Sequence, residues 1–327
     1  MRALMIALII IGLTGLTPTH ADENGLNIVS TFTSLVPDIT LLTCPGDVVR
    51  GLIPNNVDPH DYALTPNDIT SLKNADVIIS TAHTQAELSI KELVNSGEVS
   101  SILIELTQIE GIVILSNPNT GQPNYHGILY DPLNYIAFAY NLSKTFMNLN
   151  PSKKECYVEK YLALQDTLLK NVLMHRSKYY TTAVADTPLT QYAVEWMGIR
   201  VIKLLKVEHD LDVAPSDMMK IEELVKNREV GVVVVSTPSS RISSYLEEIA
   251  LENGLPILYV ESPLTNNSFV SRYISLISQD VKPLDVNPRS KVENSNPLAN
   301  TLYILAGIST GTILGFLMGL LIKRRSR

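Results

Sequence analysis

The chain is poor in cysteine, with two in 327 residues, and lacks the short signatures that announce an enzyme. There is no His-Glu-x-x-His pair, no glycine-rich phosphate loop and no nucleophile elbow. Zincin-type hydrolysis, P-loop nucleotide binding and acyl transfer on an exposed serine therefore have no foothold. Serines and histidines occur, but nothing in their spacing assembles a triad. Positive charge is scarce too. The formal net charge is −7 and no long basic stretch precedes the terminal tail, which argues against nucleic acid as a partner. Cys44 and Cys156 stand either as free thiols or as one pair, and an oxidising exterior permits the pairing. The sequons at Asn141 and Asn266 matter only in a host that glycosylates exported proteins.

What the chain does have begins at its ends. Met1-Arg2, an apolar run from Ala3 to Leu16 and a small-residue exit at Ala21 fit a secretory signal over residues 1–21. The run is short for a spanning helix, which needs about 20 residues; an uncleaved anchor is the other reading. From Pro297 to Ile322 no residue is charged, and Lys323-Arg324-Arg325-Ser326-Arg327 follows at once. This predicts a transmembrane helix over 299–322 and a cytoplasmic tail at 323–327. Gly307, Gly311, Gly315 and Gly319 recur at a spacing of four. On a helix they form one stripe that lets a permease or a second copy approach closely. The polar stretch 285–298, with Pro288, reads as a tether. Both ends predict the same topology: an exported domain, anchored to the outer face of the cell membrane by a single C-terminal helix.

Between the ends, strand-like runs alternate with helical ones. Asn27–Thr31, Val48–Ile53, Ala75–Ser80 and Ile102–Glu105 read as strands, with helices from Asn67 to Asn74 and from Gln85 to Ser96. The rhythm repeats at Thr182–Ala185, Val201–Leu205, Val230–Val235 and Ile257–Glu261. Helices run from Pro215 to Lys226 and from Ser243 to Asn253, the latter closed by Gly254. Such alternation predicts an α/β fold with mainly parallel sheets. From Pro151, apolar residues at near-helical spacing predict one long helix over 151–178. The expectation is two α/β lobes, 22–150 and 179–284, joined by that helix and separated by a cleft.

Three polar clusters sit in loops or at strand ends, where open α/β sheets bind ligands. They are Asp58-Pro59-His60-Asp61-Tyr62 with Thr65 to Asp68, His126 with Asp131 to Asn134, and Glu261-Ser262-Pro263. Histidine with carboxylate suits Zn²⁺ or Mn²⁺. In order, the chain carries Gly51-Leu52-Ile53-Pro54, Asp58-Pro59-His60, Tyr62, Thr65-Pro66, Ala75-Asp76, His126, Asp131-Pro132-Leu133-Asn134 and Asn150-Pro151 ahead of the long helix. From Asn27 to Leu276 it resembles the metal-binding proteins of zinc and manganese ABC transporters. The resemblance implies ligands at His60 and His126, and a carboxylate near the last strand, here Glu261. It points to Thr187 for the third ligand; its neighbour Asp186 substitutes there if the backbone shifts. The interval from His126 to Asp131 is one residue longer than the family's. His83 is a spare histidine outside the resemblance.

The expected function is the extracytoplasmic metal-binding component of an ABC importer, not an enzyme. It would capture Zn²⁺ or Mn²⁺ through His60, His126, Glu261 and Asp186 and deliver it to a permease. The first rival is a surface adhesion or structural protein that has kept the scaffold and lost the metal. The second is a metallo-hydrolase with an open coordination position. No His-rich acidic loop of the kind seen in zinc-specific members is present, which leaves both metals open.

Overall fold

A computed structural model describes residues 25–55, 57–207 and 212–286. The signal at 1–21, the apolar stretch at 299–322 with its glycines, the basic tail and most of the tether lie outside the described residues. Among the described residues no helix is long and apolar enough to cross a membrane.

Two four-stranded sheets organise the molecule. The first contains β1 (Asn27–Phe32), β2 (Val48–Ile53), β3 (Val77–Ser80) and β4 (Ile102–Glu105), in the order β2-β1-β3-β4. The second contains β5 (Thr181–Ala185), β6 (Ile199–Leu204), β7 (Val232–Thr237) and β8 (Ile257–Glu261), in the order β6-β5-β7-β8. Every strand pair is parallel. In each sheet the chain leaves the first strand to one side and returns on the other. That reversal opens a crevice at the carboxyl ends of the central strands, where ligands bind in such sheets.

The central strands β3 and β7 are apolar on both faces because each sheet is covered on both. Val77 and Ile79 face inward and Ile78 outward; Val232 and Val234 face inward, Val233 and Val235 outward. The outer face of the first sheet carries α2 (Pro66–Lys73) and α3 (Gln85–Asn95). The outer face of the second carries α7 (Pro215–Lys226) and α8 (Arg241–Asn253). The inner faces share one continuous core. Tyr135, Phe138, Leu142 and Phe146 of α4 (Pro132–Leu149) and Leu164 and Leu168 of α5 (Lys154–Asn171) fill it, with Tyr192 of α6 (Pro188–Glu195) and Tyr273 of α9 (Phe269–Ile277).

The connecting helix expected over 151–178 is shorter, spanning Lys154–Asn171 and flanked by 3-10 turns at Pro151–Lys153 and Leu173–His175. Asn150 adopts φ −128°, ψ 77° before Pro151, which has no N–H to extend the preceding helix. Helix α2 opens at Thr65 rather than Asn67. The Thr65 hydroxyl accepts from the Asp68 amide, the Asp68 carboxylate accepts from the Thr65 amide, and Pro66 fills the first turn. Cys44 and Cys156 are joined in a disulfide that ties the loop before β2 to α5. Beside it, Asp47 accepts from the Tyr157 hydroxyl at 3.0 Å and from the Leu26 and Cys44 amides.

Candidate metal centre

Three histidines meet at the carboxyl end of the first sheet. His60 follows β2 in a turn held by Asp58, whose carboxylate accepts from the His60 amide at 2.9 Å. The rest of that polar cluster is scaffold: the Tyr62 hydroxyl donates to Asp68 at 2.8 Å, and Asp68 closes the cap of α2. His83 follows β3, two residues before α3 begins. The preceding Ala82 takes the left-handed conformation with φ 64°, uncommon for a residue with a Cβ. Its amide donates to the Ser80 hydroxyl at 3.0 Å, which holds the sharp turn. His126 lies on the loop before α4. Asn124 accepts from its amide at 3.0 Å, and Gly127 follows with φ +76°. A Cβ on Gly127 would stand 2.8 Å from the Leu189 carbonyl oxygen. Glycine there lets the loop rest directly on α6 of the second lobe.

The rings of His60 and His83 have centroids 5.7 Å apart, those of His83 and His126 5.3 Å, and those of His60 and His126 6.1 Å. One ligand atom from each lies within 4.8 Å of the others, and all three side chains are half-buried. Among the described residues this is the one group of three or more such side chains close enough to share an ion. Burial pushes the His83 pKa down to about 4, against the pull of Glu87 and with help from His126 and His60, which disfavour another positive charge beside them. A neutral imidazole is the form that binds a metal.

Behind His83 stands Glu87, a buried carboxylate on α3. Its oxygens accept from the amides of Thr81, His83 and Thr84 at 2.6 to 3.1 Å, and from the hydroxyls of Thr31, Ser80, Thr81 and Thr84. Burial works to raise its pKa, but His83 and these hydrogen bonds hold it below the usual range.

Of the residues the sequence singled out, the structure brings His60 and His126 together and adds His83. Asp186 and Glu261 lie outside that group. Asp186, at the end of β5, is fully buried; its carboxylate accepts from the Ser236 amide and hydroxyl at 2.7 and 2.6 Å and from the Ser243 hydroxyl at 2.8 Å. Thr187 is the residue before α6 and donates to Asp186 at 3.3 Å. Glu261 ends β8; its carboxylate accepts from Thr265 and Asn267, both at 2.6 Å, and its carbonyl accepts from the Tyr130 hydroxyl. Sequence reasoning left His83 as a spare and passed over Glu87. The available signal was positional: His83 follows a strand of the crevice, and Thr84 and Glu87 have the spacing of a capping box.

Comparison with known proteins agrees with this architecture. The model of the family described as "ZnuA: Zinc-uptake complex component A periplasmic" matches residues 46–285. The iron-binding protein YfeA of Yersinia pestis is 25% identical over 266 residues, covering 78% of this chain and 83% of its own. The manganese-binding lipoprotein MntA of Halalkalibacterium halodurans is 21% identical over 275 residues, covering 81% of this chain and 89% of its own. Among solved structures, a mutant of the laminin-binding adhesin of Streptococcus agalactiae shares the fold at a TM-score of 0.62 with 18% identity, over 77% of this chain and 97% of that one. The family model covers most of the length that folds into the two lobes, so the chain belongs to the ZnuA family of metal-binding components of ABC transporters, which are solute-binding proteins and not enzymes.

Proposed function

We propose that this protein captures one divalent metal ion outside the cytoplasm and delivers it to an ABC permease, with His60, His83 and His126 as ligands. The observation that carries this reading is the gathering of the three imidazoles within 4.8 Å. Imidazole nitrogen suits Zn²⁺ better than Mn²⁺, which prefers carboxylate and water oxygen. The ion is therefore Zn²⁺ ahead of Mn²⁺, although relatives are named for iron and manganese. Three protein ligands leave a fourth position of a tetrahedral site. Glu261 is the second-lobe carboxylate we assign to it. Asp186 is a weaker candidate, because it is fully buried with both carboxylate oxygens engaged, whereas Thr265 and Asn267 both bind the same oxygen of Glu261. The apolar stretch 299–322 supplies the membrane anchor in this reading, and protease added to intact cells should release the domain.

The adhesion reading supposes that metal binding has been lost. A gathered histidine cluster in a metal-binding family does not favour it, and the likeness to the laminin-binding adhesin extends to the fold alone. Calorimetric titration of the full-length protein with Zn²⁺ and Mn²⁺ tests the proposal. One Zn²⁺ should bind, more tightly than Mn²⁺. His60→Ala, His83→Ala and His126→Ala should each lose at least about 100-fold in affinity, and Glu261→Ala less, as expected when one of three or four ligands is removed. Undiminished binding in the histidine variants would overturn the site.

A further inference from the structure

The geometry points to Thr81 and Glu87 as positioning residues that fix the tautomer of His83 and present its Nε2 to the ion. The inference rests on the reading of His83 as a ligand.

The Thr81 hydroxyl lies 2.9 Å from His83 Nδ1, and 3.0 and 2.9 Å from the two oxygens of Glu87. A hydroxyl has one hydrogen to give. Glu87 accepts three backbone N–H groups and three further hydroxyls, a load that only an acceptor carries. The Thr81 hydrogen therefore goes to Glu87, and the contact with the ring is Nδ1–H donating to the Thr81 oxygen. With Nδ1 protonated, the lone pair of the neutral ring is on Nε2, the nitrogen left to join His60 and His126. Direct contact is weaker: Glu87 is 3.8 Å from Nδ1, so the threonine carries the link. Outer-shell partners of this kind orient metal-binding histidines and raise their basicity, and their loss costs about 10–100-fold in affinity.

The arrangement uses groups the fold needs anyway. Thr84 and Glu87 form the capping box of α3, and the same carboxylate binds the turn that carries His83. The helix start and the ligand are thereby one unit. This explains why His83 serves as a third ligand although the resemblance to the family gives it no such place.

The test uses the full-length protein with ¹⁵N-labelled histidine. In the metal-free protein, long-range imidazole spectra should show His83 protonated on Nδ1 and bare on Nε2. Thr81→Val keeps the volume and leaves the other Glu87 contacts in place; it should shift the ring toward the Nε2–H tautomer and weaken Zn²⁺ binding about 10–100-fold. Thr81→Ser should restore both. Glu87→Gln should act in the same direction, with Thr81→Val deciding if that variant fails to fold. A wild-type ring protonated on Nε2 would overturn the relay. So would wild-type Zn²⁺ affinity in Thr81→Val while His83→Ala has lost it. Wild-type affinity in His83→Ala would instead sink the ligand reading, and the relay with it.

Discussion

His83 couples its own charge to the stability of the fold. Unfolded, the ring titrates near 6.5; folded, burial holds it near 4. Between these values the unfolded chain binds the extra proton, so stability falls as pH drops from about 6.5 to about 4. Asp38 works the other way. Burial raises its carboxyl to about 6, only partly offset by the Tyr135 hydroxyl and the Phe269 amide, so its contribution is lost as pH rises through the same range. The wild-type profile thus mixes opposing slopes, and the readable quantity is a difference. The stability of metal-free His83→Gln relative to wild type, read by thermal unfolding, should increase as pH falls from about 6.5 to about 4, with a slope difference of up to one proton. Parallel profiles would remove His83 as the cause. The same desolvation keeps the His83 ring neutral at pH 7, the form that binds a metal.

At the scale of elements, α5 bridges the lobes because its start is pinned. The disulfide closes a separation of 112 residues, Lys153 donates to the Pro45 carbonyl at 2.7 Å, and Tyr157 donates to Asp47. Loop closure of about this length removes on the order of 4–5 kcal/mol of unfolded-state entropy in the chain-entropy model. Cys44→Ser and Cys156→Ser should each lower stability by about 2–5 kcal/mol in denaturant titration, and reductant should do the same to wild type. Unchanged midpoints would mean the local hydrogen bonds suffice. Strands such as Ile102–Glu105 and Ile257–Glu261, and helix Pro215–Lys226, were legible from short apolar runs and from proline at the first turn. Helix α4 has no counterpart among the expected helices, although Tyr135, Phe138, Leu142 and Phe146 follow helical spacing. The proline-bearing motif at its start fits a ligand segment by sequence; in the structure Asp131 caps the helix and accepts from Leu133 at 2.8 Å.

Across the whole molecule, the two lobes are packed and hydrogen-bonded against each other. One hydrophobic core runs through both inner sheet faces. The loop before α4 reaches across: Asn119 donates to the Leu204 carbonyl at 2.9 Å and accepts from the Leu204 amide at 2.8 Å, pairing with edge strand β6 as a strand would. Asn124 donates to Pro188 and Gln191, and the Tyr192 hydroxyl donates to the Asn124 carbonyl at 2.6 Å while accepting from the Leu115 amide. Asp38 of the first lobe accepts from the Phe269 amide and the Tyr135 hydroxyl, both at 2.7 Å. The two lobes should unfold in one cooperative transition, with far-UV and near-UV signals coinciding. Asp38→Ala, which strands a buried amide and hydroxyl, should cost about 2–4 kcal/mol, and Asp38→Asn much less. Two separated transitions would contradict a shared core.

The sequence by itself determined the alternation of strands and helices, the two-lobe plan and two of the clustered histidines. These depend on local patterning: apolar runs between turn residues, and the ordered segment around Asp58-Pro59-His60. It also carries the predicted export signal and apolar tail, which lie beyond the described residues. Tertiary structure alone decided the company those histidines keep. His83 is 23 residues from His60 and 43 from His126 in the chain; they meet because β2 and β3 flank β1 in parallel, so the loops leaving their carboxyl ends converge. It likewise turned Asp186 toward Ser236 of the neighbouring strand β7 and Ser243 in the first turn of α8, because a buried carboxylate takes the donors its neighbours supply.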